Sequence, residues 1–331
     1  MSTSYKDAGV DINTGKKAVS NIKYLVRRTF TPNVLTDIGS FGACFALPVS
    51  EYKNPILVSS TDGVGTKLIL ANLMNRHDTI GECLVNHCVN DILTTGAKPI
   101  YFLDYIGTGK LYPEIIKEII RGLSKACCEN GCSLIGGEMA EMPEIYSQKE
   151  YDLVGTITGV VEKENLLLNR VKKGDVLIGL PSSGLHTNGY SLARKVLLKN
   201  YSVDSYISEI DATLGEVLLK VHRSYLKPVS ELLNRKELHA ISHITGGGIE
   251  GNTKRVVPDG LKLKIDWNAW EWFPIFKFIQ DLGKISVGEM RKVFNLGIGL
   301  ILVVDPDYAD EFFHELKDWG EIPICVGEIT K

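Results

Sequence analysis

Chemistry-bearing side chains cluster at five places in this 331-residue chain. Asp62-Gly63-Val64-Gly65-Thr66-Lys67 follows the apolar run Pro55–Val58 and precedes another, Leu68–Met74. That order predicts a strand, a tight turn and a helix. It is not a Walker A loop, which needs G-x-x-x-x-G-K-[ST], and Gly107-Thr-Gly-Lys110 fails the same test. Glycines still let backbone N–H groups approach an anion, and Lys67 offers a point charge. An acid beside a phosphate needs a cation between them, so the stretch reads as a metal-nucleotide turn or as a plain strand-to-helix connection.

Glu82, Asn86 and Asn90 fall at i, i+4 and i+8 of a helix expected over Asp78–Thr95, with His87 and Asp91 alongside. Either this is a solvated polar stripe or its oxygens serve magnesium. Gly136-Gly-Glu138-Met-Ala-Glu141 places two carboxylates at a strand end, where α/β proteins put ligands. Asp62, Asp91 and Glu138 together suffice for two magnesium ions. Ser182–Ser191 carries His186, Thr187 and Asn188 between a strand and a helix, an anion or amide site unless the histidine is structural. Gly246-Gly247-Gly248-Ile-Glu-Gly251 matches G-x-G-x-x-G, with Asp266 downstream. Pro258 leaves about two helical turns after it, so a phosphate pocket is favoured over a dinucleotide fold. The aromatic stretch Trp267–Phe278 reads as packing rather than a base-stacking platform.

The elements that must hold these residues alternate. Strands are expected at Ile56–Ser60, Pro99–Gly107, Cys132–Gly137 and Tyr151–Glu162, and helices at Asp78–Thr95 and Pro113–Asn130. A polar stretch, Glu162–Asp175, reads as a domain junction. Beyond it come strands near residues 176–184, 238–245, 261–266, 297–304 and 322–329, with helices near 190–200, 215–234, 274–281 and 307–319. The class is α/β (α+β). With 44% hydrophobic residues the chain buries a large core, and a net charge of −3 argues against a general nucleic-acid binder. No apolar run reaches the roughly 18 residues of a membrane span. The polar N-terminal stretch lacks a signal-peptide core, so a cytoplasmic protein is expected. Seven scattered cysteines without a C-x-x-C pair point to reduced, buried thiols.

Taken together these stretches resemble the phosphoribosylformylglycinamidine cyclo-ligase (aminoimidazole ribonucleotide synthetase) family. The resemblance runs nearly end to end: SYKDAGVDI from Ser4, TDGVGTK from Thr61, ND-x4-GAKP from Asn90, FLDY from Phe102, GGEMAEMP from Gly136, SGLHTNGYSLARK from Ser183, HITGGG from His243 and FNLGIG from Phe294. It implies a homodimer of two-domain subunits. Residues 1–166 would form an ATP-binding and dimerising domain around a mixed sheet, and residues 167–331 a second mixed-sheet domain completing the cleft. It implies ATP and Mg²⁺, with a small-molecule substrate, formylglycinamidine ribonucleotide, closed to aminoimidazole ribonucleotide. Asp62, Asp91 and Glu138 would hold metal. Lys23, Asp62, Gly63 to Lys67 and Asp104 would bind nucleotide, with Gly39–Gly42 closing over it. His186, Thr187, Asn188 and Gly246–Gly248 would bind substrate, and His186, Asp91 and Lys23 would be catalytic. Selenophosphate synthetase-like and thiamine-phosphate kinase-like enzymes, or a non-catalytic nucleotide-binding regulator, are the rival readings.

Overall fold

A computed structural model describes Tyr5 and residues 7–331. Ser4 and Lys6 of the first motif lie outside the described residues.

The N-terminal half builds a mixed sheet from β1 (Pro55–Gly63), β2 (Lys98–Thr108), β3 (Ser133–Glu141) and β4 (Tyr151–Glu162), in the order β1-β4-β2-β3. Only β2 and β3 pair in parallel. Helices α1 (Ile12–Arg27), α2 (Leu68–Met74), α3 (Asp78–Leu93) and α4 (Pro113–Glu129) belong to this half. In α4 the stripe Ile116, Ile119, Ile120, Leu123 and Cys127 is buried, the spacing of one helical face, and Pro113 starts the helix where a missing N–H costs nothing. Gly81 and Gly122 let α3 and α4 touch at backbone level: a Cβ on Gly122 would lie 1.9 Å from the Asp78 carbonyl oxygen.

The C-terminal half folds a second sheet from β5 (Val176–Pro181), β8 (Leu238–His243), β9 (Lys262–Ile265), β10 (Ile298–Val304) and β11 (Ile324–Thr330), ordered β8-β10-β5-β11-β9. Every pairing in it is antiparallel, so the sheet is not mixed as expected. A short hairpin, β6 (Tyr206–Ile207) and β7 (Ala212–Thr213), stands apart. The helices here are α5 (Tyr190–Leu197), α6 (Leu214–Leu218), α7 (Leu226–Val229), α8 (Gly248–Thr253), α9 (Pro274–Gly283), α10 (Val287–Val293) and α11 (Ala309–Asp318). The single helix expected over 215–234 is broken. Residues 219–225 leave the helical path and Pro228, without an N–H, cannot sit deep in a continuous helix. The aromatic stretch packs as read: Phe276 is in the core and Trp270 donates from Nε1 to the Leu296 carbonyl at 3.0 Å.

Helix α3 has only Asp78 and Asp91 outside the buried class. It lies under β1 and β4 on one side and meets the 219–225 stretch on the other. This settles the Glu82/Asn86/Asn90 stripe, which is neither solvated nor a magnesium site. Glu82 pairs with Lys125 at 2.7 Å. Asn86 donates to the His222 carbonyl at 2.8 Å, and Asn90 to that of Arg223 at 2.9 Å. The amides replace the backbone bonds that the unwound stretch has lost.

Candidate active site

Where the halves meet, a cleft of about 500 Å³ opens between Ser60, Asp62, His87 and Asp91 of the first and His243, Thr245, Asn252 and Arg255 of the second. Asp62 ends β1 on the face that packs against α3, and Asp91 projects from the last turn of that helix. His87 Nε2 lies 2.9 Å from Asp62 Oδ2 and 3.9 Å from Asp91 Oδ2. His243, ending β8, places Nδ1 2.8 Å from Asp91 Oδ1, and the Ser60 hydroxyl donates to Asp91 Oδ2 at 3.1 Å. Behind them Thr187 Oγ1 contacts His87 Nδ1 at 2.7 Å and His222 Nδ1 at 3.2 Å. His222 Nε2 faces His243 Nε2 at 3.1 Å.

Burial by itself raises a carboxylic pKa, yet Asp62 and Asp91 both end below their usual value. The hydrogen bond and charge of His87 outweigh burial at Asp62, and those of His243 do so at Asp91. Burial likewise works against a charged His87, but the two carboxylates leave its pKa raised. His186 and His222 go down, through burial first and neighbouring positive groups after it; burial also takes His243 down, against the hydrogen bond to Asp91, which pulls it up.

Several expected residues sit elsewhere. The three acids do not converge. Asp62 is in register with Gly155, Gly155 with Asp104 and Asp104 with Gly137, whereas Glu138 pairs with Tyr105. Side chains alternate along a strand, so Glu138 points to the sheet face opposite Asp62, three strands away at about 14 Å. Magnesium takes oxygen ligands and keeps near-octahedral geometry. Here Asp62 and Asp91 face imidazole nitrogens and lack the third acid, so the residues do not fit the expected magnesium set.

Lys67 is fully buried, with its ammonium turned to protein acceptors. Its ammonium donates to the His186 carbonyl (2.9 Å), the Lys220 carbonyl (2.5 Å) and Cys83 Sγ (3.2 Å), stitching the two halves together. The backbone of the turn is also engaged. Gly63 N–H goes to Asp62 Oδ1, Val64 N–H to the Leu153 carbonyl, and Thr66 Oγ1 meets Ser191 Oγ across the halves at 3.0 Å. His186 is 1% exposed, stacks on His222 at 4.0 Å and accepts from Ser183 N–H, so it cannot touch a substrate in the cleft. Thr187 is buried and orients His87 and His222. Asn188 does face a loop at the cleft: its Oδ1 is buried without a partner, and its Nδ2 lies 3.6 Å from where a Gly246 Cβ would be. Gly247 and Gly248 take positive φ, and a Cβ on Gly248 would sit 1.8 Å from the Arg291 carbonyl, so helix packing demands that glycine. Asn252 Nδ2 holds the loop through the carbonyls of Thr245, Gly246 and Gly248.

Asp104 and Glu138 line a separate cavity of about 610 Å³ with Gly39–Gly42, Ile22 of α1 and Leu103. Lys23 does not line it, but its charge acts on Asp37, which does. Burial pushes the Asp104 carboxyl up to about 7. The folded chain therefore holds a proton there that an unfolded chain releases near pH 4. That stabilisation is complete below the unfolded value and is lost as pH rises through about 7. Asp104→Asn keeps the neutral shape, so its melting temperature relative to the parent chain is expected to climb between pH 5 and pH 8. The gain is of order a few kcal/mol, and thermal melts at both pH values measure it. A difference that stays flat with pH contradicts the buried acid.

Reasoning from sequence alone missed His222, Arg255 and the role of His243. His243 has a readable signal, a histidine closing a strand-like run just before a glycine turn. His222 has none, since it lies in a stretch that reads as helix.

Residues 42–161 match the AIR synthase related protein N-terminal domain, and residues 172–331 its C-terminal domain. The cleft between the two sheets is thus that of a two-domain AIR synthase-related protein. Within that class, the chain is 47% identical to the phosphoribosylformylglycinamidine cyclo-ligase of Alkaliphilus metalliredigens, over 99% of this chain and 95% of the relative. It is 49% identical to that of Pseudothermotoga lettingae, over 100% and 98%. The chain belongs to the phosphoribosylformylglycinamidine cyclo-ligase family and is an enzyme of purine biosynthesis. Its fold is shared with thiamine-monophosphate kinase from Stenotrophomonas maltophilia (TM-score 0.70, 15% identity, covering 95% and 93% of the two chains). It is shared also with the hydrogenase maturation protein HypE in complex with ATP (TM-score 0.67, 16% identity, covering 96% and 86%). No helix among the described residues is long and apolar enough to cross a membrane.

Proposed function

We propose that this chain closes formylglycinamidine ribonucleotide to 5-aminoimidazole ribonucleotide with conversion of ATP to ADP and phosphate. Full-length identity of 47–49% to cyclo-ligases supports this over the kinase-like and selenophosphate readings. The observation that carries it is the cleft in which carboxylates of one half meet His243, Thr245, Asn252 and Arg255 of the other.

An amide oxygen is a poor leaving group. The formyl oxygen attacks the γ-phosphorus of ATP, a new O–P bond forms, and the bond to the β-phosphate oxygen breaks to release ADP. The amidine nitrogen then attacks the activated carbon, the C–O bond breaks, and phosphate departs with the proton that nitrogen loses. Such chemistry asks for positioning and charge complementarity rather than a protein nucleophile. Arg255 suits the phosphate of the ribonucleotide, and Asn188 with Gly246 a polar group of the substrate. Asp91, held by Ser60 and His243, is our candidate for orienting the reacting groups. Lys23, Asp104 and Glu138 remain proposed nucleotide contacts at the second cavity, whose apolar walls suit a purine. Magnesium, when bound, would neutralise charge on the ATP phosphates.

We also propose a homodimer. The sheet face away from the helices carries Ser59, Thr61 and a half-exposed Leu57, a surface that a second copy would cover. Cytoplasmic location and no nucleic-acid partner follow from the same reading.

Incubation with ATP, Mg²⁺ and the amidine substrate is expected to yield ADP and aminoimidazole product in equal amounts. ATP consumption without that product removes the assignment.

A further inference from the structure

A third cavity, of about 670 Å³, lies at the junction of the two halves and shares no lining residue with the cleft or with the cavity around Asp104. One wall is the chain that leaves β4, with Asn165, Arg170 and Lys172. The other is the approach to β8, with Asn234, Lys236 and His239. His239 precedes His243 by four residues on that strand, which puts the cavity about 13 Å from the cleft wall.

Its charges are unbalanced. Arg170, Lys172 and Lys236 face one carboxylate, Glu164, in a chain whose net charge is −3. Among the described residues none of the three cations has a carboxylate partner. The adjacent Arg235 shows the contrast, matched by Glu237, Glu311 and Glu315. Arg170 donates to the Glu164 carbonyl, which fixes the guanidinium without neutralising it. Cations of one sign gathered in a concave site raise the local concentration of an anion.

The polar groups are built in rather than strewn over the surface. Consecutive β10 residues Val303 and Val304 face Ala240 and Leu238, so His239 is the extra residue of a bulge, a device that re-aims a side chain. Its ring is 3% exposed, and Nδ1 donates to Asp175 Oδ2 at 2.8 Å. The same carboxylate oxygen accepts the Lys172 N–H at 2.8 Å, so one buried acid fixes both walls. His239 Nε2 makes no hydrogen bond, and the Asp305 carboxylate stands 4.0 Å away from it. Asn165 Nδ2 donates to Asn234 Oδ1 at 3.0 Å, which leaves one acceptor and one donor of that amide pair free.

We propose that this junction cavity binds a small phosphate monoester, a sugar phosphate or a nucleoside monophosphate. Three cations against one acid suit a dianion, and the planar guanidinium suits two phosphate oxygens at once. The amide pair and His239 Nε2 then meet hydroxyl or base-edge groups of the esterified body. The volume is that of an ordinary small-molecule site.

Calorimetric titration of the full chain with AMP, ribose 5-phosphate and inorganic phosphate tests it. Lys172 and Lys236 are exposed, so Lys172→Gln/Lys236→Gln should keep the parent circular dichroism and melt. At least one ester is expected to show a binding event that this double variant weakens by at least about tenfold. Arg255→Gln, in the cleft, should leave that event within about twofold, and Arg170→Gln should repeat the loss. Inorganic phosphate should bind at least about tenfold more weakly than the better ester. AMP tighter than ribose 5-phosphate identifies a nucleotide site, and equal affinities a sugar-phosphate site. No ester binding at millimolar concentration, events that only Arg255→Gln weakens, or inorganic phosphate as tight as both esters overturns the proposal. Ring closure is not read in any of these titrations, so that reading stands or falls separately.

Discussion

Asp91→Asn is expected to cut kcat by ~10²–10³-fold while leaving the melting temperature within a few degrees. The side chain is held at both oxygens, by His243 at 2.8 Å and Ser60 at 3.1 Å, and it faces His87 at 3.9 Å. Asparagine keeps the shape but removes the negative charge and puts an N–H₂ where one of those donors now points. His243, Ser60 and anything bound beside them lose their alignment, which a reaction that depends on positioning cannot absorb. Because the carboxylate lies on the cleft wall and makes no part of the core, the fold should survive. Steady-state kinetics with a thermal melt on the same preparation decide it. Activity within tenfold of the parent chain removes Asp91 from the machinery.

Lys67→Met should act in the opposite way, on stability more than on nucleotide affinity. Three ammonium N–H groups meet three acceptors, two of them carbonyls on the C-terminal half. Methionine fills the space but leaves those carbonyls buried and unpaired, at a cost of about 3 kcal/mol or more. In a chain of this size that lowers the melting temperature by roughly 4 °C or more. The KM for ATP is expected to stay within about twofold, since the ammonium never reaches the cleft. A raised KM with an unchanged melt would restore Lys67 as a phosphate ligand.

Lys67 also shows where sequence reasoning stops. A lysine after a glycine turn has the composition of a phosphate loop, and nothing local reveals that His186 and Lys220 will bring their carbonyls to it. The amide stripe on α3 misled for the same reason. Its periodicity described a helix face correctly, but the partner of that face is a stretch more than a hundred residues away, unwound around His222.

What the sequence determined by itself is local and periodic. The α4 stripe, the N-terminal strands and Pro113 at a helix start are set by side-chain spacing within a few residues, so they were legible. The family too was legible, because its motifs are contiguous. The tertiary structure alone decided which acids meet. Strand register turned Glu138 to the far face of the sheet, and the closure of two domains brought His243 to Asp91 across 152 positions of chain. Register and docking are set by the sum of many distant contacts, so no short window of residues encodes them.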